Sequence, residues 1–255
     1  MHNVSEDTTI SDAVLTPLGH QQAARLATLT PEIQSVAEVI ISSPLRRTLQ
    51  TTAAGYAPAI ERLGGHANIV CLPQLQECSH NPCDTGSARE ILESHPEFSK
   101  YNLSLLTPEW ISKKDFYASD AAALQARAQW VRQYLRDRKE EYIVIMAHGD
   151  FLRCLTGQPD SYWGNAEVRL FQFDPEHVTT EQCPLMQVDM IATGDWQGEP
   201  TAQAVQEAQA SLEAMEQRVK KIQASLASQT NELEELDRRL AEADRKQVEL
   251  ENHLA

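Results

Sequence analysis

Tyr142-Ile143-Val144-Ile145-Met146-Ala147, broken at once by His148-Gly149-Asp150 and resumed as the helical stretch Phe151 to Leu155, is the strongest local signal in the chain. Short, uninterrupted apolar runs rich in β-branched residues form strands buried on both faces, and the glycine that follows marks the turn out of the sheet. The same grammar recurs on either side. Val36 to Ile41 contains a second short β-branched run, ending in Ser42-Ser43-Pro44 before a helical pattern from Leu45 to about Leu63. Ile69 to Leu72 reads as a strand, Glu90 to Glu93 as part of a short helix stopping before His95-Pro96, and Ala121 to Arg138 as a longer helix. Thr16 is placed as an N-cap with Pro17 at the first helical position, and Val168 to Phe173 as a last strand. Alternation of this kind predicts an α/β domain with a largely parallel sheet, whose active-site loops gather at the C-terminal strand ends.

Beyond Phe173 the pattern changes twice. Asp174 to Pro200 holds Pro175, Pro184, Gly194 and Gly198 and reads as an irregular connection with one short strand near Met186 to Ile191. From Val205 the apolar residues step by three and four through Ala208, Leu212, Met215, Val219, Ile222 and Leu226, then Leu233, Leu236, Leu240, Ala243, Leu250 and Leu254. Charged residues fill much of the outside and no glycine or proline follows Pro200. Such a heptad seam predicts a coiled coil that pairs with a second copy or another coiled-coil partner, whereas a single solvated helix is the plainer alternative. The expected division is a domain over 1–195, a linker over 196–204 and the coiled coil over 205–254.

Composition narrows the function. The 255 residues carry a net charge of −15, which argues against nucleic-acid binding because that needs cationic surface. With a mean hydropathy of −0.43 and no apolar run near the ~18 residues of a membrane span, no membrane role is expected. Met1-His-Asn-Val-Ser-Glu-Asp lacks the basic start and apolar stretch of a secretory signal, so a cytoplasmic or nuclear location is expected. The five cysteines, Cys71, Cys78, Cys83, Cys154 and Cys183, form no close pair and suit reduced thiols better than a disulfide framework or a zinc site. An anionic substrate then requires a local arginine cluster, and Arg46-Arg47 is the candidate.

Three segments place phosphate-handling residues at or just after a strand end: Ser42-Ser43-Pro44-Leu45-Arg46-Arg47-Thr48, Leu75-Gln76-Glu77 and Ala147-His148-Gly149. A fixed guanidinium donates two parallel hydrogen bonds to phosphate oxygens, which fits Arg47. A carboxyl group that keeps its proton near working pH protonates a departing alkoxide, which fits Glu77. A strand-end histidine donates to a phosphate oxygen while the glycine beside it lets the backbone approach, which fits His148 with Gly149. Singly, each has a plainer reading: a solvated helix start, a surface charge, a structural histidine.

Together and in this order they resemble the histidine phosphatase (phosphoglycerate mutase-like) superfamily, over most of the chain up to about Phe173. Ser43-Pro44-Leu45-Arg46-Arg47 is similar to the family's Ser-x-Leu-x-Arg pattern, with Arg47 in the functional place, and His148-Gly149 to its later His-Gly. The resemblance implies a three-layer α/β sandwich, phosphomonoester hydrolysis through a phosphohistidine, a small phosphorylated substrate, and no metal or other cofactor. It implies that Arg47 binds the phosphate, Glu77 serves as acid and then base, and His148 stabilises the transition state. Family members carry the nucleophile in an Arg-His-Gly tripeptide at the end of the first strand, with a phosphate-contacting asparagine a few residues later. Asn3 in Met1-His2-Asn3 is similar to that asparagine, which puts the tripeptide before Met1 and leaves the sandwich without its first, central strand. His2 adjoins Asn3 and no arginine precedes it, so it is not the expected nucleophile. His20, His66, His80 and His95 are assigned surface roles. Two explanations follow: truncation of an active enzyme, favoured because Arg47, Glu77 and His148 all remain, or a noncatalytic dimeric interaction protein. A mutase is the rival activity, since the same phosphoenzyme can return its group to a substrate. Cys78 to Lys114 is expected to be a cap over the site or a mobile surface loop.

Overall fold

The computed structural model describes residues 7–197 and Lys220. His2, Asn3 and, Lys220 apart, the expected linker and coiled coil from residue 198 onward lie outside the described residues. In chain order the helices are α1 (Pro17–Leu29), α2 (Pro31–Val36), α3 (Arg46–Gly55), α4 (Ala57–Arg62), α5 (Arg89–Ser94), α6 (Ala121–Arg136) and α7 (Gly149–Thr156). The strands are β1 (Val39–Ser42), β2 (Val70–Cys71), β3 (Ile143–Met146), β4 (Val168–Phe173) and β5 (Leu185–Ala192). Local chemistry sets the helix ends. The Thr16 hydroxyl accepts from Gly19 N–H at 3.0 Å, Asp120 accepts from Ala122 and Ala123 N–H at 3.1 Å each, and Gly157 closes α7 at a φ of 68°.

β1 is central and pairs in parallel with β2 and with β3, giving the order β2-β1-β3. The ladder runs on past the strand ends: Leu72 N–H donates to Ser42 O and Ser43 N–H to Met146 O, each at 2.8 Å. Side chains alternate across a strand, and β1 sorts them into two cores. Ile40 joins Leu26, Leu49, Tyr56 and Ile60 on the face of α1, α3 and α4. Val39 and Ile41 join Ala128, Val131, Leu135, Phe151 and Leu155 on the face of α6 and α7. Helices thus cover both faces of a parallel sheet, which is the α/β class the sequence predicts.

Three expectations change. The single helix over Leu45–Leu63 is two, because Pro58 has no N–H to give the carbonyl four residues back and Tyr56 takes the junction. β4 does not extend the parallel sheet. It pairs antiparallel with β5 in a separate two-stranded ribbon, since the connection from Asp174 to Pro184 is too short for a crossover helix and is closed by Asp174 N–H on Pro184 O at 2.9 Å. Nor is Cys78 to Lys114 a loose loop: Leu92, Phe98, Tyr101, Leu103, Leu106 and Trp110 all enter the core around Ile40.

Candidate functional site

Because β1, β2 and β3 run in parallel, their C-terminal ends deliver three loops to one edge of the sheet. β1 passes through Ser43-Pro44-Leu45 into α3, which carries Arg47 in its first turn. β2 passes through a 3₁₀ turn at Pro73–Leu75 to Glu77, and β3 passes through Ala147 to His148, the N-cap residue just before α7. Sequence-distant residues therefore become electrostatic neighbours: Arg47 acts on both Glu77 and His148.

His148 is buried, and its Nε2 lies 2.8 Å from Ser43 Oγ and 3.2 Å from Thr48 Oγ1. Burial, reinforced by Arg47, Lys113 and Arg127, holds its pKa well below the ordinary imidazole value, so the ring is neutral near pH 7. Arg47 donates through Nη1 to Cys83 O at 2.5 Å and through Nη2 to Asp84 Oδ1 at 3.0 Å, which closes its fork onto the segment after Ser79. Arg46 turns away, its Nε on Asp12 O at 2.8 Å and its backbone N–H on Asp12 Oδ1 at 2.9 Å, so it anchors the chain.

Glu77 is half-buried in its residue accessibility, yet its carboxyl is deep enough that burial raises its pKa, with Asp84 and Asp150 adding to the rise. Amide donors from Cys78 at 2.8 Å and Phe151 at 3.1 Å to Oε1, and the charge of Arg47, oppose the rise without cancelling it. Between its unfolded pKa and the raised folded one, the folded carboxyl holds a proton that the unfolded chain has released. The stability Glu77 contributes is complete below its unfolded pKa and falls as pH rises from about 4.5. Urea unfolding across pH is expected to show Glu77→Gln gaining on the parent protein as pH rises through that window. A difference independent of pH contradicts the raised pKa.

Gly149 is not demanded by packing: an added Cβ would stand 3.6 Å from Trp163, an ordinary contact. His20, His80 and His95 are exposed, and His66 packs edge-on against Tyr101 with centroids 5.4 Å apart. Four neighbours of the cluster carry no motif that marks them in the sequence. Lys113 donates from Nζ to Glu77 O at 3.1 Å, and burial lowers its pKa to about 8. Cys78 and Cys154 share a thiol hydrogen bond in which Cys154 is the more acidic partner. Arg127 is buried on α6 beside Ala128 and Val131; a cation on the apolar stripe of a helix was the available signal.

The arrangement brings a guanidinium, a carboxyl whose pKa is raised and a neutral imidazole to one edge of the sheet. Over 142 residues the chain is 26% identical to a probable phosphatase of Schizosaccharomyces pombe, a match covering 56% of this chain and 65% of that relative, so the chain spans less than two thirds of the relative's length. Among solved structures it is similar to a mutant phosphoserine phosphatase of Entamoeba histolytica in complex with phosphoserine, with a TM-score of 0.44, 19% identity and coverage of 72% of this chain and 89% of that one. It is also similar to a mycobacterial glucosyl-3-phosphoglycerate phosphatase, with a TM-score of 0.46, 18% identity and coverage of 74% and 94%. The sequence profile of the histidine phosphatase superfamily (branch 1) matches residues 6–182, well over half of the chain, and on that match the chain belongs to this superfamily.

Proposed function

We propose that this chain supplies the phosphate-binding and proton-donating residues of a phosphomonoester hydrolase that works through a phosphohistidine. The observation that carries this reading is the convergence of Arg47, Glu77 and His148 at one sheet edge, with burial raising the Glu77 pKa. Arg47 and neutral His148 hold the phosphoryl oxygens while a histidine nitrogen bonds to phosphorus and the ester P–O bond breaks. The Glu77 proton goes to the leaving alkoxide. Its carboxylate then takes a proton from the water that attacks the phosphohistidine, and inorganic phosphate leaves.

The nucleophile is assigned to a strand bearing Arg-His-Gly that would pair along the outer edge of β3. In support, both edges of β1 are occupied, whereas apolar β3 has a ladder on one side among the described residues. Without that strand, residues 1–255 are expected to lack turnover. The heptad seam over 205–254 supports assembly as a homodimer or with a coiled-coil partner.

Release of inorganic phosphate from an aryl phosphate tests the reading, with Arg47→Ala and His148→Ala as controls. The chain alone is expected to release none. A fusion adding an Arg-His-Gly strand ahead of Met1 is expected to turn over, and Arg47→Ala to lower that rate about tenfold to a hundredfold. Turnover by the unfused chain that survives in both variants contradicts the assignment.

A further inference from the structure

Glu77 Oε1 accepts from two amides, Cys78 N–H at 2.8 Å on the loop after β2 and Phe151 N–H at 3.1 Å in the first turn of α7. One oxygen shared by two donors holds these segments side by side. Cys154 follows Phe151 by one helical turn on the same side of α7, and the Cys78 thiol donates a hydrogen bond to its sulfur. Both cysteines are half-buried, neither is in a disulfide, and both pack against the core that holds Phe151 and Leu155. Their surroundings make them unequal. The bond from Cys78 lowers the Cys154 pKa to about 7; burial opposes this, Arg127 assists it, and Glu77 and Asp150 oppose it. The same bond, with burial, raises Cys78. Arg127 is 1% exposed and none of its guanidinium nitrogens has a hydrogen-bond partner among the described residues, so no bonded carboxylate offsets its charge. A half-exposed thiol that ionises near neutral pH, with a second thiol against it, is the arrangement that peroxide oxidises.

We propose that Cys78 and Cys154 form a peroxide-sensitive dithiol whose closure to a disulfide cross-links the loop after β2 to α7 and so regulates the acid held between them. The regulatory half rests on the reading of Glu77 given above. The Cys154 thiolate attacks hydrogen peroxide: a S–O bond forms, the O–O bond breaks, hydroxide leaves, and the sulfur is oxidised to a sulfenic acid while the peroxide is reduced. The Cys78 sulfur then attacks that sulfur. The S–S bond forms, the S–O bond breaks, and the departing hydroxide takes the Cys78 proton and leaves as water. A dithiol reductant reverses the step by exchange. A S–S bond of about 2.0 Å is shorter than the thiol hydrogen bond it replaces, so closure shifts both amides that share Glu77 Oε1 and opens the carboxyl to water.

Peroxide treatment of the full chain, followed by thiol counting and peptide mass analysis, reads the dithiol. Two of the five thiols are expected to be lost, the Cys78 and Cys154 peptides to be joined, and both thiols to return with dithiothreitol. Cys78→Ser is expected to stop at a Cys154 sulfenic acid that dimedone traps, and Cys154→Ser to lose no thiol at the same dose. A disulfide between other cysteines, or five intact thiols at a dose that oxidises free cysteine, overturns the dithiol. Urea unfolding across pH reads the regulation: the pH-dependent gap between Glu77→Gln and the parent protein is expected to shrink toward zero once both are oxidised. A gap that survives oxidation overturns the regulation and leaves the dithiol standing. No such gap in the reduced proteins overturns the buried acid and the regulation with it, and the joined peptides still decide the dithiol.

Discussion

Gly86→Ala is expected to destabilise the domain by about 3 kcal/mol, close to the cost of deleting a buried aromatic side chain and far above the usual cost of a methyl group. An added Cβ there would stand 1.9 Å from Trp110 Cη2, 2.5 Å from Cζ3 and 2.6 Å from Cζ2. The indole cannot yield cheaply. Trp110 is 1% exposed, sits among Leu92, Phe98 and Leu106, and accepts through its carbonyl from Gln76 Nε2 at 2.7 Å. Gln76 precedes Glu77, so displacement of the indole is transmitted to the loop that holds the acid. A double-mutant cycle in urea checks the mechanism: Trp110→Leu removes the rings that the new methyl group strikes, so Gly86→Ala should cost much less in that background. Additive costs contradict a direct clash.

That contact marks the boundary of what sequence alone makes legible. β1 and β3 were readable because Val39-Ile-Ile and Ile143-Val-Ile-Met are continuous apolar runs, and such runs identify themselves without reference to neighbours. Arg47 and His148 were readable because each sits in a short motif beside a strand end. Glu77 was readable as a residue but not as a buried acid: its raised pKa depends first on burial and then on Asp84 and Asp150, which other segments bring to it. The pairing of β4 with β5, the short strand expected near Met186 to Ile191, is not legible in the sequence because a strand's partner is set by connection length and closure, and the Asp174–Pro184 bond is invisible until the loop is folded. The same holds for Cys78 to Lys114, whose polar and proline-rich composition resembles a loop although six of its large side chains are core. Arg127 lies away from the strand ends, and its signal in the sequence is a charge on the apolar stripe of a helix.

The second large effect has the opposite sign: Arg127→Met is expected to stabilise the unliganded protein by about 1–4 kcal/mol, raising the midpoint of thermal unfolding by about 2–4 °C for each kcal/mol. A buried cation whose donors are unused loses its hydration and regains little, since the ring of Phe151 replaces only part of it. Methionine keeps the unbranched stem and removes the charge, and the site's lining of Phe151, Cys78 and Cys154 accepts a thioether. Arg132→Met is the control with the reverse expectation. It strips partners from the Gln182 and Leu155 carbonyls, leaves them unsatisfied, and should lower the midpoint. Differential scanning calorimetry of the three proteins without ligand separates the two arginines. A rise for Arg127→Met with a fall for Arg132→Met identifies Arg127 as a charge retained at the expense of stability, the behaviour of a residue kept for what it binds. A fall for both shows that Arg127 has an internal partner, and a structural role then accounts for it.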